Sequence, residues 1–197
     1  MYIPDIFKNE NQEDIINFLQ ENSFGILVNQ TNGKLWATHI PLELDIDKNG
    51  KQILFGHISK ENPQWKNFEE NDKILAIFSG PHSYISSSWY DHENVPTWNF
   101  IAVHVYGTVK IIEGDAVVES LKKLVNKYEK NSKNPVKVEV LSEKTMLQTR
   151  GIVAFEIEIE EIQGVNKLSQ NRDNKNYDNI ISELKKNREF SSLCGCK

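Results

Sequence analysis

From residue 95 to residue 112 the chain reads VPTWNFIAVHVYGTVKII, and its side chains change character at every second position. Ile101, Val103, Val105, Val109 and Ile111 share one face, while Trp98, Phe100, Ala102, His104, Tyr106 and Thr108 share the other. Period-two alternation of β-branched and aromatic residues predicts a strand. The second face is aromatic and polar but uncharged, which suits another chain or a ligand better than bulk water. Over 151–161 the alternation is cleaner: Val153, Phe155, Ile157 and Ile159 oppose Glu156, Glu158 and Glu160. That pattern predicts a strand with one face on the core and one in solvent.

Shorter strands are predicted at 24–29 and 34–40 around Asn32-Gly33, and at 42–46 and 52–58 around Asn49-Gly50. Asn-Gly is the strongest short-range hairpin signal, so these segments read as a four-strand antiparallel meander. Another strand follows at 73–79, and 80–94, with Pro81 and the serines Ser86, Ser87 and Ser88, reads as irregular. Helical spacing appears over 13–21, where Ile15, Ile16, Phe18 and Leu19 recur behind Asn11 as N-cap, with Glu13 and Asp14 in the first turn. Asp115 is placed to cap a helix reaching 128, with Val118, Leu121, Leu124 and Val125 as its stripe. Shorter helices are expected at 62–69 and after Ser142. A polar helix from Asn174 carries Tyr177, Ile180, Ile181 and Leu184. The apolar Tyr2, Ile3, Pro4 and Phe7 mark an ordered N-terminal arm. Six or seven short antiparallel strands with inserted helices predict a mainly β, α+β chain: a small β-barrel decorated by helices.

Composition narrows the function classes. The 197 residues fit one ordinary domain with appendages. The charge balance, 23 − 28 = −5, gives no support to a nucleic-acid role, though it leaves room for a local basic surface. Cys194 and Cys196 lie one residue apart in the terminal CGCK, too close to cross-link a fold and short of a zinc ligand set. The N-terminus lacks a basic segment followed by an apolar run, and no apolar run approaches the roughly 20 residues that cross a bilayer. The expected location is cytoplasmic, with no membrane partner.

No nucleotide-binding or nucleophile-elbow motif stands in the chain, and no catalytic residue can be named. His39, His57, His82, His92 and His104 show no metal-ligand spacing, so no metal is expected. His39 and His57 fall near the ends of predicted strands, where an imidazole can reach a ligand or cap a carbonyl. Lys122, Lys123, Lys127, Lys130, Lys133 and Lys137 could present a phosphate-binding face, although a solvated helix surface is the commoner cause. VNKLSQNR at 165–172 is more informative. Lys167, Ser169, Gln170 and Arg172 place four hydrogen-bonding side chains in six residues behind Gly164. A phosphate, or a heteroaromatic ring with several carbonyls, would use such donors.

Taken together, MYIP at the start, THIPL at 38–42, GHISKENPQW at 56–65, AIFSGPHSYISSSWY at 76–90, VPTWNFIAVHVYG at 95–107 and NKLSQNR at 166–172 resemble the PaiB family of FMN-binding negative transcriptional regulators. The resemblance implies a split β-barrel similar to flavin reductases and pyridoxamine-phosphate oxidases, usually dimeric with FMN in the cleft between subunits. It divides the chain into an FMN-binding domain with helical insertions at 1–172 and a helical tail at 173–197. By the same resemblance, His39, His57, Ser59 and Asn62 cradle the phosphate and ribityl chain, and Thr97, Trp98 and Asn99 border the isoalloxazine. Lys167, Ser169, Gln170 and Arg172 form the closing block. Two functions follow: a regulatory FMN-binding homodimer that contacts DNA, or a flavin-dependent oxidoreductase of the same fold linked to FMN or NAD(P)H.

Overall fold

The structure, a computed structural model, describes residues 1–31, 33–70 and 73–191, with the side chains of residues 31, 69, 70 and 187–191 left out of the description. Asn32 of the first expected turn, and Cys194 and Cys196, lie outside the described residues. The chain forms two compact units. The larger comprises Asn11–Phe78 and Val103–Gln163; the smaller comprises Met1–Glu10, Ser79–Ala102 and Gly164–Lys197.

Helix α1 (Gln12–Glu21) opens the larger unit, and its start follows from Asn11, whose Oδ1 accepts the amides of Glu13 and Asp14 at 3.0 and 3.4 Å. Strands β2 (Phe24–Thr31) and β3 (Lys34–Pro41) form one hairpin; β4 (Glu43–Ile46) and β5 (Gln52–Ser59) form the other. In the second hairpin turn Asp47 Oδ1 accepts the amides of Asn49 and Lys51, both at 2.8 Å, and Gly50 takes φ +82°. Side-chain capping and a left-handed glycine together fix the turn and with it the register. Strands β6 (Lys73–Ile85), β7 (Thr97–Ile112) and β8 (Ile152–Lys167) complete the sheet order β3-β2-β6-β7-β8-β5-β4.

That order corrects the expected meander. The hairpins do not run on into one another: β3 and β4 stand at opposite ends of the strand order. Between them the chain turns at Leu42, which is fully buried and whose amide donates to the Ser23 carbonyl at 2.8 Å. Burying that side chain moves the two hairpins apart, and β6, β7 and β8 fill the gap. The result is an antiparallel split barrel. Its core packs Leu27, Leu42, Leu54, Ala76, Phe78, Val105, Phe155 and Ile157 with Ile15 and Leu19 of α1. Each such large side chain contributes about 1.5–3 kcal/mol by leaving water.

Helix α2 (Asp115–Glu129) lies in this unit. Asp115 is its first helical residue rather than its cap: Gly114, at φ +61°, holds the N-cap position without a side-chain bond. The expected helix at 62–69 is a 3₁₀ segment, Pro63–Glu70. The short helix α3 (Glu143–Met146) starts at Ser142, whose Oγ accepts the Thr145 amide at 3.2 Å.

In the smaller unit a 3₁₀ turn (Asp5–Phe7) leads into β1 (Lys8–Asn9), which pairs with Gly164 and Val165 of β8. The N-terminal arm is thereby ordered, but by the pairing of Lys8 and Asn9 rather than by burial of its apolar residues, since Tyr2 stays exposed. The eight strands among the described residues exceed the expected six or seven because the arm adds this short one. Two further boundaries move. Strand β6 continues to Ile85 through the stretch expected to be irregular; its β2 ladder ends at Ile77, so Pro81 falls where no β2 carbonyl awaits an amide. Strand β8 continues to Lys167, so the first residues of the donor-rich block are strand, not loop. A second small core holds Ile85, Tyr90 and Ile180, the last from α4 (Asn174–Ser191).

Candidate cofactor site

In the smaller unit, neighbouring positions of β7 serve opposite faces. Thr97 and Asn99 meet the donor-rich block: Lys167 Nζ donates to Thr97 Oγ1 at 2.6 Å, and Ser169 Oγ donates to Asn99 Oδ1 at 3.0 Å. Both Ser169 and Asn99 are buried. Trp98, between them in sequence, points the other way and is 52% exposed, against His82 and Tyr84. The expected trio of Thr97, Trp98 and Asn99 is therefore divided between two faces of one strand.

The block braces itself. Ser169 takes φ +64°, a left-handed conformation unusual for a residue with a Cβ, and the Arg172 amide donates back to its carbonyl at 3.0 Å. Gln170 Oε1 accepts the Leu168 amide at 2.7 Å, while its Nε2 donates to the carbonyls of Asn166 and Ile6 at 2.5 and 3.2 Å. Ser169 and Gln170 thus spend their donors on the chain itself. Lys167 spends one on Thr97, and among the described residues neither Lys167 nor Arg172 meets a carboxylate. Lys167 Nζ sits 5.9 Å from the Phe7 ring centroid, and the Arg172 guanidinium 4.9 Å from that of Tyr90. Two cations held by hydroxyl and aromatic neighbours keep their charge available to an anion.

The other expected site residues lie in the larger unit. Asn62 donates its amide to the Ser59 carbonyl at 3.0 Å and its side-chain Nδ2 to Thr38 Oγ1 at 2.8 Å. Ser59 Oγ accepts the Glu61 amide at 3.3 Å, and Asn62 Oδ1 accepts the Gln64 amide at 3.1 Å. Ser59 and Asn62 thereby shape one turn. His39 is exposed on β3 and stacks on Phe24, with ring centroids 6.5 Å apart. His57 is half-buried on β5, paired across the ladder with Ala154, and burial lowers its pKa below the usual histidine value.

Sequence reasoning missed Gln64, a fully buried amide whose Nε2 donates to the Leu27 carbonyl at 3.1 Å and whose Oε1 accepts from Thr38. A single glutamine has no periodicity, so only its place in the PQW block marked it. It also missed Glu43, a 6%-exposed carboxylate on β4. Lys127 Nζ meets its Oε2 at 2.5 Å and the Tyr128 hydroxyl donates to its Oε1 at 2.8 Å. Lys123 pairs with Asp45 two residues on, and Lys122 with Glu119. Three lysines of the supposed phosphate-binding stretch are thus committed to carboxylates; Lys123 and Lys127 tie α2 to β4, while Lys122 pairs within the helix.

An antiparallel split barrel with this strand order, with a block rich in cations and amides where β8 ends, defines the fold class. The fold matches that of the flavocytochrome Anf3 from Azotobacter vinelandii, with TM-score 0.65 and 17% identity over 90% of this chain and 78% of that one. It also matches a FAD and heme binding protein from Mycobacterium smegmatis, with TM-score 0.63 and 15% identity over 81% and 73% of the two chains. The chain belongs to the family whose model, described as "Putative FMN-binding domain", matches residues 1–161. Over 185 residues, 93% of this chain and 89% of the relative, it is 49% identical to the Protease synthase and sporulation protein PAI 2 of Bacillus subtilis (strain 168), which makes it a homologue of PaiB. FMN is the cofactor of that family, and the donor set fits it: a dianionic phosphate calls for cations not already paired, and among the described residues Lys167 and Arg172 meet hydroxyl and aromatic neighbours rather than carboxylates. Among the described residues no helix is long and apolar enough to cross a membrane.

Proposed function

We propose that this chain is a cytoplasmic, homodimeric flavoprotein that regulates gene expression, with FMN as the ligand that sets its state. The observation carrying the reading is the pair Lys167 and Arg172, cations that meet no carboxylate among the described residues, in a block braced by Ser169 and Gln170. Bound FMN supplies reversible one- and two-electron chemistry. In the smaller unit Lys167 and Arg172 offer positive charge to its phosphate, and a second subunit completes the cleft. In the larger unit, taken by itself, the turn of Ser59 and Asn62, with His39 and His57, offers polar groups of the kind that ribityl and phosphate oxygens use. The regulatory role draws on the relative named for protease synthase and sporulation.

The purified protein should be yellow, or become so on adding FMN, and titration should saturate at one flavin per chain. A colourless protein whose absorbance and melting temperature ignore FMN would overturn the cofactor site. Regulation by direct contact requires tighter binding to the protein's own promoter region than to random DNA at two salt concentrations, since phosphate contacts alone are salt-sensitive and sequence-blind. Equal affinity removes the DNA contact. Bleaching of the flavin on anaerobic mixing with NADH or NADPH would instead make the chain a nicotinamide-linked oxidoreductase.

A further inference from the structure

In the smaller unit the backbone is fixed on both sides of Phe7. The Phe7 amide donates to the Pro4 carbonyl at 2.9 Å, which closes the 3₁₀ turn over Asp5–Phe7. The next two residues, Lys8 and Asn9, pair with Val165 and Gly164 of β8. Gln170 adds a third tie, its Nε2 donating to the carbonyls of Ile6 and Asn166 at 3.2 and 2.5 Å. Held in this way, the half-buried Phe7 ring has its centroid 5.9 Å from Lys167 Nζ, and Thr97 Oγ1 accepts from the same ammonium at 2.6 Å. A lysine side chain is long and flexible, and ordering it costs rotamer entropy. A carboxylate would order it but would also cancel its charge and compete with an anion for its donors. An aromatic face attracts the cation through the ring quadrupole and uses none of its three N–H groups. Thr97 takes one, and the others stay available.

We propose that the N-terminal arm is part of the anion site, with Phe7 as the positioning residue that holds the Lys167 ammonium ready for a phosphate monoester. The inference rests on the FMN reading above, in which Lys167 meets the phosphate. It adds that the arm sets selectivity: the ring keeps the ammonium ordered and charged, so a flavin that carries the phosphate is held over the same flavin without it. Gln170 then clamps the arm to the block and is not itself a ligand contact.

The test compares the Kd of FMN and of riboflavin, the same flavin without its phosphate, for the full chain and its variants by flavin fluorescence. The wild type should bind FMN more tightly than riboflavin. Phe7→Leu and Phe7→Met remove the ring face and should each weaken FMN about fourfold while leaving riboflavin unchanged. Phe7→Tyr keeps the face and should match the wild type. In a Lys167→Met background, Phe7→Leu should cause no further loss, because the ring acts through that ammonium. Two non-aromatic replacements guard against one that fails to fold, which circular dichroism of the flavin-free chains identifies. Unchanged FMN affinity in the folded Phe7 variants overturns the positioning role and leaves the FMN reading standing. Equal weakening of FMN and riboflavin, or an undiminished Phe7→Leu effect in the Lys167→Met background, makes the arm a structural support only and also overturns it. A wild type that binds FMN and riboflavin alike removes the phosphate contact on which the role depends. No FMN binding by the wild type overturns both readings.

Discussion

Ser169 Oγ donates to Asn99 Oδ1 at 3.0 Å across 70 residues of sequence, and both side chains are buried. The bond fixes the end of the donor-rich block against the start of β7, and it holds Ser169 at φ +64°. Ser169→Ala removes the donor and leaves a buried amide oxygen unsatisfied, at a cost of about 1–3 kcal/mol. Ser169→Gly loses the same bond but relieves a left-handed strain of roughly 1 kcal/mol. Urea unfolding should therefore show the alanine variant to be the less stable of the two. The opposite ranking would mean that the conformation of Ser169 carries no strain.

The docking of α2 depends on a buried charge. Glu43 is nearly inaccessible, and Lys127 and Tyr128 reach it from consecutive helix positions, with Ser23 Oγ 2.8 Å from the Tyr128 hydroxyl. Lys127→Ala leaves that carboxylate without its cation, held only by the Tyr128 hydroxyl. Breaking a fully buried pair costs about 3–5 kcal/mol, and the partial exposure of Lys127 brings the expectation down to about 2 kcal/mol. Lys123→Ala breaks only the exposed pair with Asp45 and should cost less than about 1 kcal/mol. Equal losses in chemical denaturation would contradict a Glu43-centred clamp.

Two histidines make stability depend on pH in a direction set by burial. Burial lowers the pKa of both His57 and His104 in the folded chain, and His104 Nδ1 is a buried atom without a hydrogen-bond partner among the described residues. The unfolded chain then binds protons first. Stability is fully present above the unfolded value of about 6.5, and falls as pH drops from there toward the folded pKa. Melting temperature measured from pH 8 to pH 5 should decline below pH 6.5 in the wild type, and less steeply in the double variant His57→Gln, His104→Gln. An identical slope would assign the acid sensitivity to other groups.

The strand face that the alternation of 101–111 reserves for the core is buried at Val103, Val105 and Val109, because period two suffices to say which side of a strand leaves water. Asn11 and Ser142 were equally legible as caps, since capping is settled within four residues. The candidate site was legible as composition: the donors of 167–172 and the TWN segment stand out in the chain. Their division of labour was not. Thr97 and Asn99 turn toward Lys167 and Ser169 while Trp98 turns away, which follows only once β7 and β8 are placed as neighbours.

Sequence by itself determined the antiparallel α+β class, the caps at Asn11 and Ser142, the Asn49-Gly50 turn and, through the joint occurrence of several short blocks, the flavin-binding family. Tertiary structure alone decided that β3 and β4 stand at opposite ends of the sheet, and that Glu43 gathers Lys127 from 84 residues away. It also decided why residue 107 is glycine: a Cβ there would lie 2.2 Å from the Glu158 carbonyl oxygen. Periodicity and capping are local, set by the backbone's own repeat and its nearest hydrogen-bonding groups. Strand partners, buried charges and close approaches depend on which distant segments share the barrel, and the linear pattern leaves that choice to packing.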